Sequence, residues 1–116
     1  MRIPGTASTL SALSVESIRT DVAAANLSNV STDGYRAKRV ANKEMRGGGV
    51  RASIDEPKEP PGQLLVGDDG RESILSNVDV ATEIVSTISA QRAFEANLAV
   101  LRTGDEMAKA LIDTKG

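Results

Sequence analysis

The sequence predicts a mainly α fold, with two long terminal helices paired as an antiparallel coiled coil around a short irregular or β-hairpin centre. Three observations predict it. Apolar residues recur at helical spacing over residues 6–31 and again over 77–115. The stretch between, residues 32–76, is rich in Gly, Pro and charge. The chain of 116 residues holds only one Tyr and one Phe, so a core built on large rings is ruled out. At this length it forms one domain, and the apolar helix faces must cover each other or be covered by other subunits. That points to assembly rather than catalysis.

Pro4 and Gly5 mark the start, and Thr6 or Ser8 supplies an N-cap. Leu10, Leu13, Val15, Ile18, Val22 and Ala25 then follow mostly at steps of three and four, a narrow stripe of small aliphatic groups. Ser and Thr fill much of the rest, and both are mediocre helix formers. This helix should be marginal alone and depend on packing. It should fail around Asn29 to Gly34, where Asn and Asp favour turns and Gly supplies positive φ.

Tyr35 to Ala41 alternates and reads as extended. Its cations Arg36, Lys38 and Arg39 read as a solvated turn or an intersubunit ion pair in preference to a phosphate or lipid-headgroup site. Gly47-Gly48-Gly49 is a break, and residues 49–54 alternate like a short strand. Pro57, Pro60 and Pro61 exclude a helix interior or a central strand over 55–62. Gln63 to Val66 reads as a second short strand, closed by Gly67-Asp68-Asp69-Gly70.

The second helix is expected to begin after Ser76-Asn77. Val80, Ile84, Phe94, Leu98, Leu101, Ala108 and Ile112 lie on a heptad-like grid, with Thr87, Gln91 and Asp105 at its polar positions. Ile88, Met107 and Leu111 widen the stripe. Spacing near 3.5 residues is that of a coiled-coil seam. Gly104 weakens the helix by up to about 1 kcal/mol relative to Ala.

Composition removes several function classes. With no Cys and no His, disulfides, thiol catalysis and the commonest zinc sites are impossible. No nucleophile–base pair or Gly-rich phosphate loop is recognisable, so no enzyme activity, cofactor, metal or small-molecule substrate is expected. Asp68-Asp69-Gly70 lacks the spacing of a calcium loop. The sequon matches at Asn26 and Asn29 read better as helix-end hydrogen bonding. A net charge of −2 gives no reason to expect nucleic acid. The start has no apolar region of a signal peptide, so export would need a route without a cleaved signal.

The two ends carry motifs. Ala24 to Arg36 reads A-A-N-L-S-N-V-S-T-D-G-Y-R, and Asn26, Leu27, Asn29, Thr32, Gly34 and Tyr35 match the N-terminal signature of the flagellar basal-body rod and hook family. Ala25, Ser28 and Arg36 depart from it. Near the other end, Asn77-Val78-Asp79-Val80, Glu83, Ser89 to Asn97, Val100-Leu101 and Asp105-Glu106-Met107 also resemble that family, with Gly104 where it often has Ala. The chain therefore resembles this family over roughly its first and last forty residues, most closely the short proximal-rod class.

The resemblance implies a single rod-type domain over 1–116, a structural subunit of the bacterial flagellar rod. Its terminal helices would pair and pack around the axis of a tube that transmits torque. Its partners would be other rod proteins, copies of itself and the flagellar type III export apparatus. The packing interface so expected takes Leu10, Leu13, Ile18, Val22, Asn26, Leu27, Asn29, Gly34 and Tyr35 from one end. From the other it takes Ile84, Ile88, Gln91, Phe94, Asn97, Leu98 and Leu101. Asn26, Asn29, Gln91 and Asn97 would add the directional hydrogen bonds that set register. The alternative is a helical adaptor or chaperone-like module using the same stripe for one soluble partner.

Overall fold

The structure, a computed structural model, describes residues 6–55, 57 and 59–115. The expected boundary at Pro4-Gly5 lies outside the described residues. The order of elements is α1 (Thr6–Ser28), β1 (Arg39–Glu44), β2 (Val50–Asp55), β3 (Leu64–Val66), β4 (Glu72–Ile74) and α2 (Val80–Lys115). No described helix is long and apolar enough to cross a membrane.

α1 stops three residues before the expected end. The reason is local. The Asn29 side-chain amide donates to the Ala25 carbonyl at 2.8 Å, the acceptor that a continuing helix would offer to the Asn29 backbone N–H. That N–H turns to the Asn26 carbonyl instead, at 3.1 Å, which tightens the last turn. The Thr32 hydroxyl then donates to Asn29 Oδ1 at 3.0 Å, and Gly34 takes φ 76°. α2 starts three residues later than expected because Asp79 is its N-cap. Asp79 Oδ1 accepts from the N–H groups of Ala81 at 3.0 Å and Thr82 at 3.4 Å, the second and third helical positions.

The middle holds two antiparallel hairpins rather than one. β1 pairs with β2 from Arg39 opposite Asp55 to Glu44 opposite Val50. Its turn is closed by Met45 and the Gly47–Gly49 run, whose φ angles are 90°, 99° and 91°. β3 pairs with β4, Leu64 opposite Ile74. The Gly67 to Gly70 turn joins them as read from the sequence, with Gly70 at φ 78°. β4 gave no advance signal, since Glu72-Ser73-Ile74 is too short to show a period.

The first hairpin lies along α1 and runs against it. Arg19 donates to Asn42 Oδ1 at 2.6 Å, and the Val50 N–H donates to the Ser11 hydroxyl at 3.0 Å. The two helices are antiparallel. Ser17, Thr20 and Asp21 line one groove with Thr87, Gln91, Phe94, Glu95 and Leu98. Arg19, Val22 and Ala23 line another with Glu83 and Ser86, so later residues of α1 meet earlier residues of α2.

The second hairpin stands apart from the helices and from the first hairpin. Its root is held at the far end of α1, where the Gly34 N–H donates to the Ile74 carbonyl at 2.6 Å. The molecule is therefore long and thin, 81 × 26 × 13 Å. α2 alone accounts for about 54 Å of that at ~1.5 Å per residue.

Among the described residues the buried apolar ones are few and mostly small: Val15, Val22, Ala23, Ala37 and Ala90. The largest fully buried side chains are polar, Glu83 at 1% exposure and Asn26 at 0%. The covered face of α2 carries Glu83, Ala90 and the half-buried Ala93, Asn97, Leu101, Gly104 and Ala108. It is rotated from the expected grid, whose Val80, Ile84, Phe94, Leu98 and Ile112 remain exposed. Small groups allow close approach, so the helix turns them inward and leaves its large aliphatics on the flanks.

Candidate assembly site

Three segments that are remote in sequence meet at the end of α1. Asn26 is the centre. Its Oδ1 accepts from the Tyr35 hydroxyl at 2.9 Å and from the Lys38 N–H at 3.0 Å. Its Nδ2 donates to the Lys38 carbonyl at 3.0 Å. The chain leaving α1 is thus tied back to the helix that it has just left. Burial, and then the Glu83 carboxylate, push the Tyr35 hydroxyl above its ordinary value of 10.0. Tyr35 therefore stays protonated at neutral pH and remains a donor.

Asn77 ties in the segment before α2. Its Oδ1 accepts from the Ala37 N–H at 2.6 Å, and its Nδ2 donates to the Pro60 carbonyl at 2.8 Å. The Asn77 N–H donates to the Tyr35 carbonyl at 3.2 Å. Asn77 is therefore occupied in bridging segments, which is why Asp79 and not Asn77 caps the helix.

Arg39 completes the junction. Its guanidinium donates to Glu83 Oε1 and to Glu59 Oε1, each at 2.6 Å. Burial works against the Arg39 charge, but the bonds to Glu83 and Glu59 outweigh it and hold the group above its ordinary value. Within the chain, Arg39 is thus paired with Glu59 and Glu83 rather than solvated, while Lys38 remains exposed. Arg36 is also engaged, donating to the carbonyls of Pro57 at 3.2 Å and Glu59 at 2.6 Å. These bonds are directional, and most of them are partly buried. A slip of one residue in any of the segments would leave several polar groups unmatched.

The sequence-derived interface residues divide into three groups. Val22 and Asn26 are buried. Leu13, Ile18, Leu27, Asn29, Tyr35, Asn97 and Leu101 are half-buried. Leu10, Gly34, Ile84, Ile88, Gln91, Phe94 and Leu98 are exposed. Asn29 and Asn97 bond to carbonyls of their own helices, Ala25 and Ala93, and so add no link between elements. Arg39, Glu59, Asn77 and Glu83 were not among the expected interface residues. No periodicity marks them, although Asn77 and Glu83 belong to the C-terminal motif.

Gly34 sits at the exit of α1 with open space where a Cβ would be, so its positive φ is the only obstacle to a side chain. Gly34→Val is expected to cost about 1–2 kcal/mol through backbone strain. Thermal unfolding of the two chains measures it. An unchanged midpoint would mean that the turn relaxes freely.

Comparison with known proteins meets this geometry at the same two places. The family model described as flagella basal body rod protein matches residues 8–36. The model described as flagellar basal body rod FlgEFG protein C-terminal matches residues 75–114. The first segment carries Asn26, Gly34 and Tyr35, and the second carries Asn77 and Glu83, so the junction is where the two family segments join. The flagellar basal-body rod protein FlgC of Salmonella typhimurium is 39% identical over 115 residues, covering 84% of this chain and 85% of that protein. FlgC of Yersinia enterocolitica is 40% identical over 111 residues, covering 80% and 82%. FlgC of Borreliella burgdorferi is 34% identical over 129 residues, covering 82% and 85%.

The chain belongs to the flagellar basal-body rod protein family and is a structural subunit of that rod. Its place is the flagellar basal body.

Proposed function

We propose that this subunit belongs to the proximal part of the rod. It leaves the cell unfolded through the flagellar type III apparatus, without signal cleavage, and folds as one rod-type domain on arrival. Coiled-coil packing of α1 and α2 then joins it to other rod proteins and to copies of itself, forming the axial tube that transmits torque. It acts without catalysis, cofactor, small-molecule substrate or nucleic acid.

One observation carries this reading. The helix pair is apolar on the outside as well as within. Leu10, Ile84, Ile88, Phe94 and Leu98 all remain exposed along its flanks. Apolar surface of that extent marks an interaction face. The polar junction supports the same reading, because it holds the two helix ends in one relative position and so presents the flanks in a fixed geometry.

The test is composition. Purified basal bodies should contain this chain, and labelling should place it at the proximal end of the rod. Its absence from basal bodies, together with a small closed soluble complex in the cell, would favour an adaptor using the same flanks.

A further inference from the structure

Both hairpins are rooted at the end of α1, but the first runs back along the helix to its start, and its tip and the second hairpin carry opposite charge. The tip of the first lies beside the start of α1, where a Cβ at Gly48 would meet the Ser8 hydroxyl and one at Gly49 the Ser11 hydroxyl. It carries Lys43, Arg46 and Arg51 against the single acid Glu44. All three cations are exposed, and among the described residues none pairs with a carboxylate. Lys43 stands directly opposite Arg51 in the ladder, a like-charge pair that weakens an isolated hairpin. Met45 lies exposed among them.

The second hairpin is the complement. Around its turn stand Asp68, Asp69 and Glu72 against the single cation Arg71. Its strands expose Leu64, Leu65, Val66 and Ile74. Successive strand residues face opposite sides, so both sides of this hairpin are apolar. Two strands of three residues have no independent stability in water. Among the described residues no other element covers this hairpin, and α1, some 35 Å long at ~1.5 Å per residue, separates its root from the tip of the first hairpin.

We propose that the second hairpin of one copy docks on the first-hairpin tip of the next copy, Asp68, Asp69 and Glu72 meeting Lys43, Arg46 and Arg51 around Met45. The occupant is a second copy because each chain carries both unlike halves of the contact and cannot bring its own two together. Where the two halves engage different neighbours, contacts between unlike ends build a ring or an open chain. The proposal rests on the reading of this protein as an assembling rod subunit, and deepens it by naming a contact outside the helices.

The absence of native Cys makes the test clean. One full-length chain carries Glu44→Cys and a second, mass-tagged chain carries Asp68→Cys. Both positions are exposed, and neither substitution removes a cation from the basic tip. Mixed under a mild oxidant, the two should give the unlike disulfide dimer at least tenfold over either like dimer. Reversing the basic tip with Lys43→Glu and Arg51→Glu should remove that excess, and so should high salt, which screens exposed charges. A statistical mixture of like and unlike dimers would overturn the proposal. So would an excess that survives charge reversal, or basal bodies in which Asp68→Cys cross-links only to a different rod protein. A chain present in the rod but showing no unlike excess refutes this contact alone, whereas absence from the rod refutes the reading beneath it.

Discussion

Leu98→Asp should stop this subunit from entering the rod and abolish motility, while leaving its synthesis and export intact. Leu98 is 40% exposed on the flank of α2, beside Phe94. It lines a groove of about 480 Å³ with Ser17, Thr20 and Asp21 of α1. Because it faces water in the single chain, a carboxylate there costs the fold little, within about 0.5 kcal/mol as for most surface changes. The penalty falls on assembly. A neighbour seated in the groove would bury the new charge unpaired, at several kcal/mol, beside the acids Asp21 and Glu95 that already line it. Export of an unfolded chain does not read packing and should be unaffected. A change at Asp33, in the exposed turn after α1, should be nearly silent. Motility and basal-body assays on both variants in a deletion background decide the matter. A motile Leu98→Asp strain would remove the flank as an assembly surface, and a non-exported chain would show that this segment serves export instead.

Asn26→Ala should be the most damaging single change within the subunit, with an expected loss of about 2–4 kcal/mol. The substitution deletes three hydrogen bonds at once, to the Tyr35 hydroxyl and to both backbone groups of Lys38. Asn26 is itself fully buried, between a half-buried Tyr35 and the Lys38 backbone, so the substitution leaves polar groups unmatched in a partly covered site. Tyr35→Phe removes one of the three and should cost about 1 kcal/mol. Chemical denaturation of the parent and both variants tests the ranking. If Asn26→Ala melts within about 0.5 kcal/mol of the parent, the helix ends are held by something other than this junction.

Features governed by neighbours within a turn or two were legible in the sequence. The two helices follow from apolar spacing. The failure of α1 near Asn29 follows from Asn, Thr and Gly chemistry acting over at most four residues. The turn at Gly67 to Gly70 follows from the same kind of signal. Boundaries shifted by three residues at one end of each helix because a side chain took over a backbone role, Asn29 at one end and Asp79 at the other.

The resemblance at both termini, read from the sequence alone, also led to the family. The resemblance implies register-setting hydrogen bonds at Asn26, Asn29, Gln91 and Asn97 alike, and nothing in the sequence singles out Asn26 or names its partners. They lie at Tyr35 and Lys38, 9 and 12 residues on. Glu83 and Arg39 are 44 residues apart. On a helical wheel Glu83 looks like a solvated acid, and only its 1% exposure shows otherwise.

By itself, then, the sequence determined where helices form, that α1 fails near Asn29 to within about three residues, which chemistries are impossible and which family the chain resembles. The tertiary structure alone decided which face of α2 turns inward and which polar groups lock the ends together. Helix periodicity registers how often apolar groups recur, not how closely two backbones approach. Here the inward face of α2 is set by small groups such as Ala90 and Ala93 and by Glu83, bonded to Arg39, so the large aliphatics that dominate the pattern are left outside.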